Sequence, residues 1–496
     1  MKFEHKSGVL LHVTSLPGRY GIGDLGPEAD AWLDFLASTR TRWWQVLPLV
    51  PTGEEDSPYK SFSSFAGNPL MVSPQLMHEQ GLLDEQHLQE RPAFTDGRVD
   101  FTLVERWKRG LFQVAFLRLN EFPSLQKDFD VFREEQSAWL EDYTLFMTIK
   151  AQQAGAEWLD WPAPLRDRKP AALKAAKKQF AATQSFYAFQ QFLFFSQWRR
   201  LRQRTAELNI GIIGDLPIYV ALDSADVWCN RELFELDKRG QPLRVAGVPP
   251  DMFSVTGQLW GNPVYRWDVH KRQGYKWWLA RLGAALSMVD VLRLDHFRGF
   301  ADYYAIPGVD DTALNGVWEP GPGADFLKVV KKKFGGLPII AEDLGGERSP
   351  LVLDLRDRFE LPGMKLLQFA FDEDLSHRFL PKNYPENCVA YTGTHDNDTA
   401  IGWFEKAPKS ERKLCLKVLK SDGKHIAWDM LRTLWASRAD LTVAPLQDFL
   451  ELGSEARMNF PGIALGNWGW RVKKSALTPK LAARIADLNA EFNRSA

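Results

Sequence analysis

A chain of 496 residues with 62 Lys and Arg against 63 Asp and Glu carries a formal charge of −1. That balance gives no general electrostatic reason to bind nucleic acid or an anionic membrane. Apolar residues are 45% and charged residues 25% of the chain, the mix of an ordinary globular protein, which excludes a disordered, collagen-like or membrane-bundle chain. The cysteines Cys229, Cys388 and Cys415 are odd in number and form no Cys-x-x-Cys pair, so neither a disulfide framework nor a structural zinc site is expected, and a reducing, cytoplasmic location is. Residues 1–7 lack an apolar signal core and no long apolar run follows, so no membrane partner is expected.

Short apolar runs recur at residues 8–13, 44–48, 210–215 (continuing to 220), 289–295, 337–342, 364–370, 388–392 and 441–446. Each has the length and character of a strand buried on both faces. Helical patterns lie between many of them, as at 274–288, 324–334 and 425–439. Eight such strands alternating with helices predict an α/β chain folded as a parallel (β/α)8 TIM barrel. An open doubly wound sheet is the alternative, but no Gly-x-Gly-x-x-Gly turn follows the first run.

The barrel is assigned to residues 1–71 and 211–496. The gap between the second and third runs is too long for one helix, so residues 72–210 are expected to form an inserted helical subdomain. In it Trp139, Tyr143, Phe146 and Lys150 keep helical spacing, and 186–201 reads as a long aromatic helix. Residues 216–288 form a second long excursion, in which 246–251 and 260–263 have the Gly and Pro content of loops. Long excursions after barrel strands lie at the face where active sites form.

Acids stand at the ends of the runs. Asp215 ends the third, Asp295 the fourth and Glu342 the fifth, while His395 and Asp396 follow the seventh. One acid after a strand is more often a helix N-cap, but several on one rim point to chemistry. Arg293 and Asp295 are two residues apart on a strand, so they share a face, expected to look into the barrel with Val291. A guanidinium beside a carboxylate suits a nucleophile that must stay charged, and Asp215 is placed to neutralise and orient Arg293. Glu342 ends an apolar stretch whose desolvation raises a carboxyl's pKa, as a general acid requires. The adjacent Asp343 should face away.

The nine His residues form no His-x-His or His-Glu-x-x-His pair and there is no Gly-x-Ser-x-Gly elbow. Neither a metal site nor a serine nucleophile is therefore expected. The 19 Trp must largely be core. Trp260, Trp468 and Trp470, however, lie among Gly, Asn and Arg, and Tyr59 lies in the polar loop 56–62. Flat apolar faces beside planar polar groups suit sugar rings.

At these residues the chain resembles the 4-α-glucanotransferases, or amylomaltases, of glycoside hydrolase family 77. Among the matching segments are Ser57-Pro-Tyr-Lys-Ser61, Gly247-Val-Pro-Pro-Asp251, Gly257-Gln-Leu-Trp-Gly-Asn-Pro263, Arg293-Leu-Asp-His-Phe-Arg298, Ala341-Glu-Asp-Leu-Gly345, Gly393-Thr-His-Asp-Asn-Asp398 and Gly466-Asn-Trp-Gly-Trp-Arg471. The resemblance implies transfer of α-1,4-glucan segments between malto-oligosaccharides, with no cofactor and no metal. It makes Asp295 the nucleophile, Glu342 the acid/base and Asp396 a third carboxylate gripping sugar hydroxyls. Asp215, Arg293 and His395 fall on supporting positions. Tyr59 falls on a sugar-stacking position, expected near the acceptor or remote glucan sites. Asp251, Trp260 and Asn467 are further candidates for glucan contact, and the loop 249–257 should cover the site. A hydrolase with the same acids and a catalytically silent glycan-binding scaffold are the rival readings.

Overall fold

The computed structural model describes residues 3–250, 254–345, 349–371 and 376–496. Among the described residues there are twelve strands, in chain order β1 (Lys6–Leu10), β2 (Trp43–Gln45), β3 (Gly211–Pro217), β4 (Arg244–Val248), β5 (Gln258–Pro263), β6 (Val291–Asp295), β7 (Asp302–Pro307), β8 (Val317–Pro320), β9 (Ile339–Ala341), β10 (Gly363–Leu366), β11 (Cys388–Tyr391) and β12 (Leu441–Pro445). Eight of them close a barrel in the order β1-β12-β11-β10-β9-β6-β3-β2, and every pairing in it is parallel. These eight are the eight apolar runs, in the same order. Their residues are buried on both faces because helices cover the outside while side chains fill the inside. Large and small residues alternate across the wall: Trp43 is registered with Gly211, and a Cβ added to Gly211 would sit 2.4 Å from the Trp43 ring.

Helices lie outside this barrel. Pro27–Ser38 follows β1, Lys276–Met288 precedes β6, Gly323–Phe334 precedes β9 and Ile426–Trp435 precedes β12. The terminal helix Pro479–Glu491 packs on both Pro27–Ser38 and Ile426–Trp435, so the last helix meets the first. Asn489 joins them. Its Oδ1 accepts from Trp435 Nε1 at 2.7 Å, and its Nδ2 donates to the Thr39 carbonyl at 2.9 Å.

Between Pro74 and Glu207 the regular elements are all helical, ending in the 27-residue helix Ala181–Glu207. The first part of that helix packs phenylalanines, Phe189 and Phe192 among them, edge-on or tilted against Phe129 and Phe132. Its second part lies on the barrel. Trp198 Nε1 donates to the Met288 carbonyl, and Arg200 and Arg202 pair with Asp30 and Asp290. One helix thus serves both bodies, as crossover from β2 to β3 and as spine of the helical stretch. The buried Lys108 ties that stretch to the loop after β2 through the carbonyls of Leu70 and Val72, and burial pushes its ammonium down to about 8.

A second sheet was not legible as strands. β4, β5, β7 and β8 form an antiparallel sheet in the order β5-β4-β7-β8, where the Gly and Pro content of 246–251 and 260–263 suggests loops. The glycine is a packing requirement of the strand pair: a Cβ on Gly247 would lie 2.2 Å from the Gln258 carbonyl oxygen. The sheet draws β4 and β5 from the connection before β6 and β7 and β8 from the connection after it, so it stands beside the end of β6.

The Asn489 junction is testable. Asn489→Ala leaves a buried indole N–H and a buried carbonyl without their partner, at roughly 1–3 kcal/mol each. The variant should lose about 2–6 kcal/mol of unfolding free energy, read by denaturant titration, with the catalytic constants at low temperature unchanged. A midpoint equal to wild type would contradict the junction's role.

Candidate active site

Asp215 on β3 and Arg293 on β6 are registered neighbours in the barrel wall. Arg293 Nη1 lies 2.9 and 2.7 Å from the two oxygens of Asp215, and 2.9 Å from Asp295 Oδ1. The Asp215 and Arg293 side chains are 0% and 3% exposed, whereas that of Asp295 is 27% exposed. The network is therefore sealed at Asp215 and open at Asp295. Burial works against the charged guanidinium, but Asp215 and Asp295 outweigh it and hold Arg293 well above its ordinary range. Burial likewise raises the Asp215 carboxyl, against the pull of Arg293. Buried alongside, Tyr391 donates its hydroxyl to Gln45 Oε1 at 2.9 Å.

Glu342 follows β9 directly. The last registered pair between β6 and β9 is Leu294 with Ala341, so Asp295 and Glu342 leave their adjacent strands side by side. Two backbone N–H groups hold the Glu342 carboxyl: His296 donates to Oε2 at 2.8 Å and Leu344 to Oε1 at 2.9 Å. Burial pushes this carboxyl up to about 7. Arg293 and the Leu344 N–H pull it down, while Asp295 and Asp343 add to the rise. Asp343 faces away, as the alternation of side chains requires, and is taken up by Arg356 and the Met364 N–H.

His395 and Asp396 follow β11. His395 Nε2 lies 3.3 Å from Asp396 Oδ2, Asn459 Nδ2 donates to Asp396 Oδ1 at 2.7 Å, and Arg457 Nη2 holds the Asp396 carbonyl at 2.6 Å. Burial would raise Asp396, but His395 and Asn459 outweigh it and keep the carboxyl well below its usual range. In return Asp396 lifts His395 above its ordinary value in spite of burial.

A family model described as 4-alpha-glucanotransferase, glycoside hydrolase 77, matches residues 11–478. The chain belongs to the 4-alpha-glucanotransferase family. It is 48% identical to a 4-alpha-glucanotransferase of Thermus thermophilus over 98% of both chains, and 45% identical to one of Synechocystis over 98% of both. The structure matches the amylomaltase of Streptococcus agalactiae, solved in complex with acarbose, with a TM-score of 0.97 at 37% identity over 99% of this chain and 100% of that one. The barrel and the 4-alpha-glucanotransferase activity expected from the motifs go with that membership.

Tyr59 was expected in an exposed loop near the acceptor or remote glucan sites. Instead its hydroxyl donates to Asp215 Oδ2 at 2.8 Å, and its ring stacks on His395 at 5.1 Å and 17° and tilts against Trp468. It is a half-buried member of the carboxylate network, and burial raises its phenol well above the usual range. Trp260, on β5, stands perpendicular to the His296 ring at 4.9 Å. Asn467 spends both ends of its amide on its own loop, accepting from Phe460 N–H at 3.0 Å and donating to the Ile463 carbonyl at 2.6 Å. These bonds brace residues 460–467 with one of its two amide N–H groups and one of the two oxygen lone pairs. Asp251 lies outside the described residues, as does part of the loop 249–257. Asn459, Arg457 and His296 had no assigned role; the matching segments include Gly453-Ser-Glu-Ala-Arg-Met-Asn459 as well as Arg293–Arg298, so all three lie inside them, but only the fold shows what they touch. Among the described residues no three His, Cys, Asp or Glu side chains are grouped to hold a metal ion.

Tyr59→Phe separates membership of the network from a remote platform. The variant keeps the stack on His395 and loses one hydrogen bond to a carboxylate, worth about 1.5–3 kcal/mol. The expected result on maltotriose is a fall of roughly ten- to hundredfold in kcat, with the melting temperature within about 3 °C of wild type. A change confined to KM would return Tyr59 to a remote binding role.

Proposed function

We propose that the enzyme moves α-1,4-glucan segments from donor to acceptor malto-oligosaccharides, or to glucose, with retention of configuration, through a covalent glycosyl-enzyme on Asp295. The observation that carries this reading is the contrast at the ends of β6 and β9. Asp295 is ion-paired with Arg293 and open to the site, while Glu342, next to it, is kept protonated up to about pH 7 by burial. Two carboxyl groups of opposite protonation state are what double displacement at a glycosidic bond requires.

In the first step an Asp295 oxygen attacks C1 of the donor sugar. The bond from C1 to the glycosidic oxygen breaks, and the Glu342 proton passes to that oxygen, freeing the shortened chain. In the second step the 4-hydroxyl of an acceptor attacks C1, the ester to Asp295 breaks, and the hydroxyl proton returns to Glu342. Two inversions restore the α configuration. Asp396, held as an anion by His395 and Asn459, grips sugar hydroxyls and stabilises the positive charge that develops at C1. Asp215 makes no contact of this kind: its oxygens serve Arg293 and Tyr59. The acarbose complex of the Streptococcus agalactiae amylomaltase supports a glucan-shaped site here. Water competes with the acceptor in the second step, and family membership favours transfer over hydrolysis.

The same reading makes residues 72–210 an inserted helical subdomain and 216–288 the excursion that flanks the site. It takes α-1,4-glucans as the partners, with no cofactor, nucleic acid or membrane. The free thiols of Cys229, Cys388 and Cys415 support a reducing, cytoplasmic compartment.

α-Maltotriosyl fluoride tests the covalent step, because fluoride leaves without a general acid. Glu342→Gln mixed with this donor and no acceptor should accumulate a maltotriosyl adduct, located by peptide mass spectrometry on Asp295, and Asp295→Asn should show none. An adduct on another carboxylate, or release of β-configured product by the wild type, would overturn the assignment.

A further inference from the structure

His296 follows Asp295 directly and takes a left-handed backbone conformation, with φ 49° and ψ 51°. This region is uncommon for any residue other than glycine, is tolerated by Asn, Asp and His, and is forbidding to β-branched side chains. The turn has a specific product. It ends β6 and points the His296 N–H at Glu342 Oε2, 2.8 Å away. The flanking backbone closes the same junction twice more: Glu342 N–H donates to the Leu294 carbonyl and Phe297 N–H to the Glu342 carbonyl, each at 3.1 Å. Trp260, reaching over from the antiparallel sheet, braces the imidazole with its ring at right angles. The imidazole itself is kept neutral, since burial lowers it to about 4 in spite of Asp295.

We infer that His296 is a positioning residue for Glu342: its left-handed turn, braced by Trp260, aims the N–H that fixes the carboxyl for proton transfer. The inference rests on Glu342 being the general acid. With Leu344 N–H on the other oxygen, the two donors come from two separate strand ends and set the plane of the carboxyl. A donor to the carboxylate also favours its charged form, so the turn tunes when the acid holds its proton as well as where it points. The charged groups around the pair are Arg293, Asp295 and Asp343 about Glu342, and Asp295, Arg298 and Asp302 about His296. None of them is altered by a change of side chain at 296.

The test compares His296→Val, which resists the left-handed region, with His296→Asn, which accepts it. A general acid contributes about 10²–10⁴-fold. A turn that no longer aims the donor should therefore cost His296→Val roughly ten- to hundredfold in kcat on maltotriose, with KM within about twofold. The alkaline limb of its rate profile should move to higher pH, because the lost donor had favoured the carboxylate. His296→Asn should recover most of that kcat and the wild-type limb. Circular dichroism and melting of both variants show whether the barrel is intact, and a misfolded His296→Val is replaced by His296→Thr, which is also β-branched. An unmoved limb in the folded β-branched variant, or equal losses in the Asn and β-branched variants, would overturn the inference. Glu342→Gln is run beside them: if it is active, the acid assignment fails and takes the inference with it. If it is inactive while the limb stays unmoved, the inference alone fails.

Discussion

One guanidinium, that of Arg293, carries the electrostatics of this site. It is almost wholly buried and shared between Asp215, which has no exposed side-chain surface, and Asp295, which faces the opening. A buried charge is tolerated only when it is paired and hydrogen-bonded. Asp215 meets that need from one side, and this leaves the same cation free to hold Asp295 from the other. Tyr59 completes the coordination of Asp215, so the supporting carboxylate has no reactive capacity left over.

Around that fixed charge the remaining groups are set apart by environment. Glu342 is close enough to Asp295 to be pushed up by it and is desolvated by its surroundings. Asp396 is held down by the His395 and Asn459 side chains. Glu342 and Asp396 are thus shifted in opposite directions on one rim, and the difference comes from their surroundings rather than from residue type. The barrel supplies the register that places them, since Asp215 with Arg293, and Leu294 with Ala341, are pairs of the strand ladder itself. The connections supply the partners: Tyr59 from the loop after β2, Trp260 from the antiparallel sheet, and Asn459 from the segment after β12.

This division explains what the sequence made legible. The eight barrel strands were readable because burial on both faces leaves an apolar run, and the inward pair Arg293 and Asp295 followed from the two-residue period of a strand. Asp343 facing outward followed from the same period. The antiparallel sheet was not readable, because β5 and β8 are exposed or half-buried over most of their length and so carry no apolar run, and its close approach at Gly247 demands the residue that otherwise marks a loop. Tyr59 was recognisable as functional from its motif. Its bond to Asp215, 156 residues away, depends on how the loop after β2 folds back over β3, which no local pattern records. Asn467, a polar residue in a Gly- and Trp-rich loop, resembles a ligand contact from its setting; that its amide also braces the loop is visible only in the fold.

The chemistry turns on Glu342 holding its proton near neutrality beside the ion-paired Asp295. Carbon-detected NMR of protein labelled at the glutamate side-chain carboxyl measures this directly, with Glu342→Gln assigning the signal. The expected spectrum has one glutamate carboxyl that titrates near pH 7, moves to lower pH when Asp295 is replaced by Asn, and is missing from the Glu342→Gln spectrum. A Glu342 signal that titrates with the exposed glutamates, near the ordinary pKa of about 4.3, would contradict it.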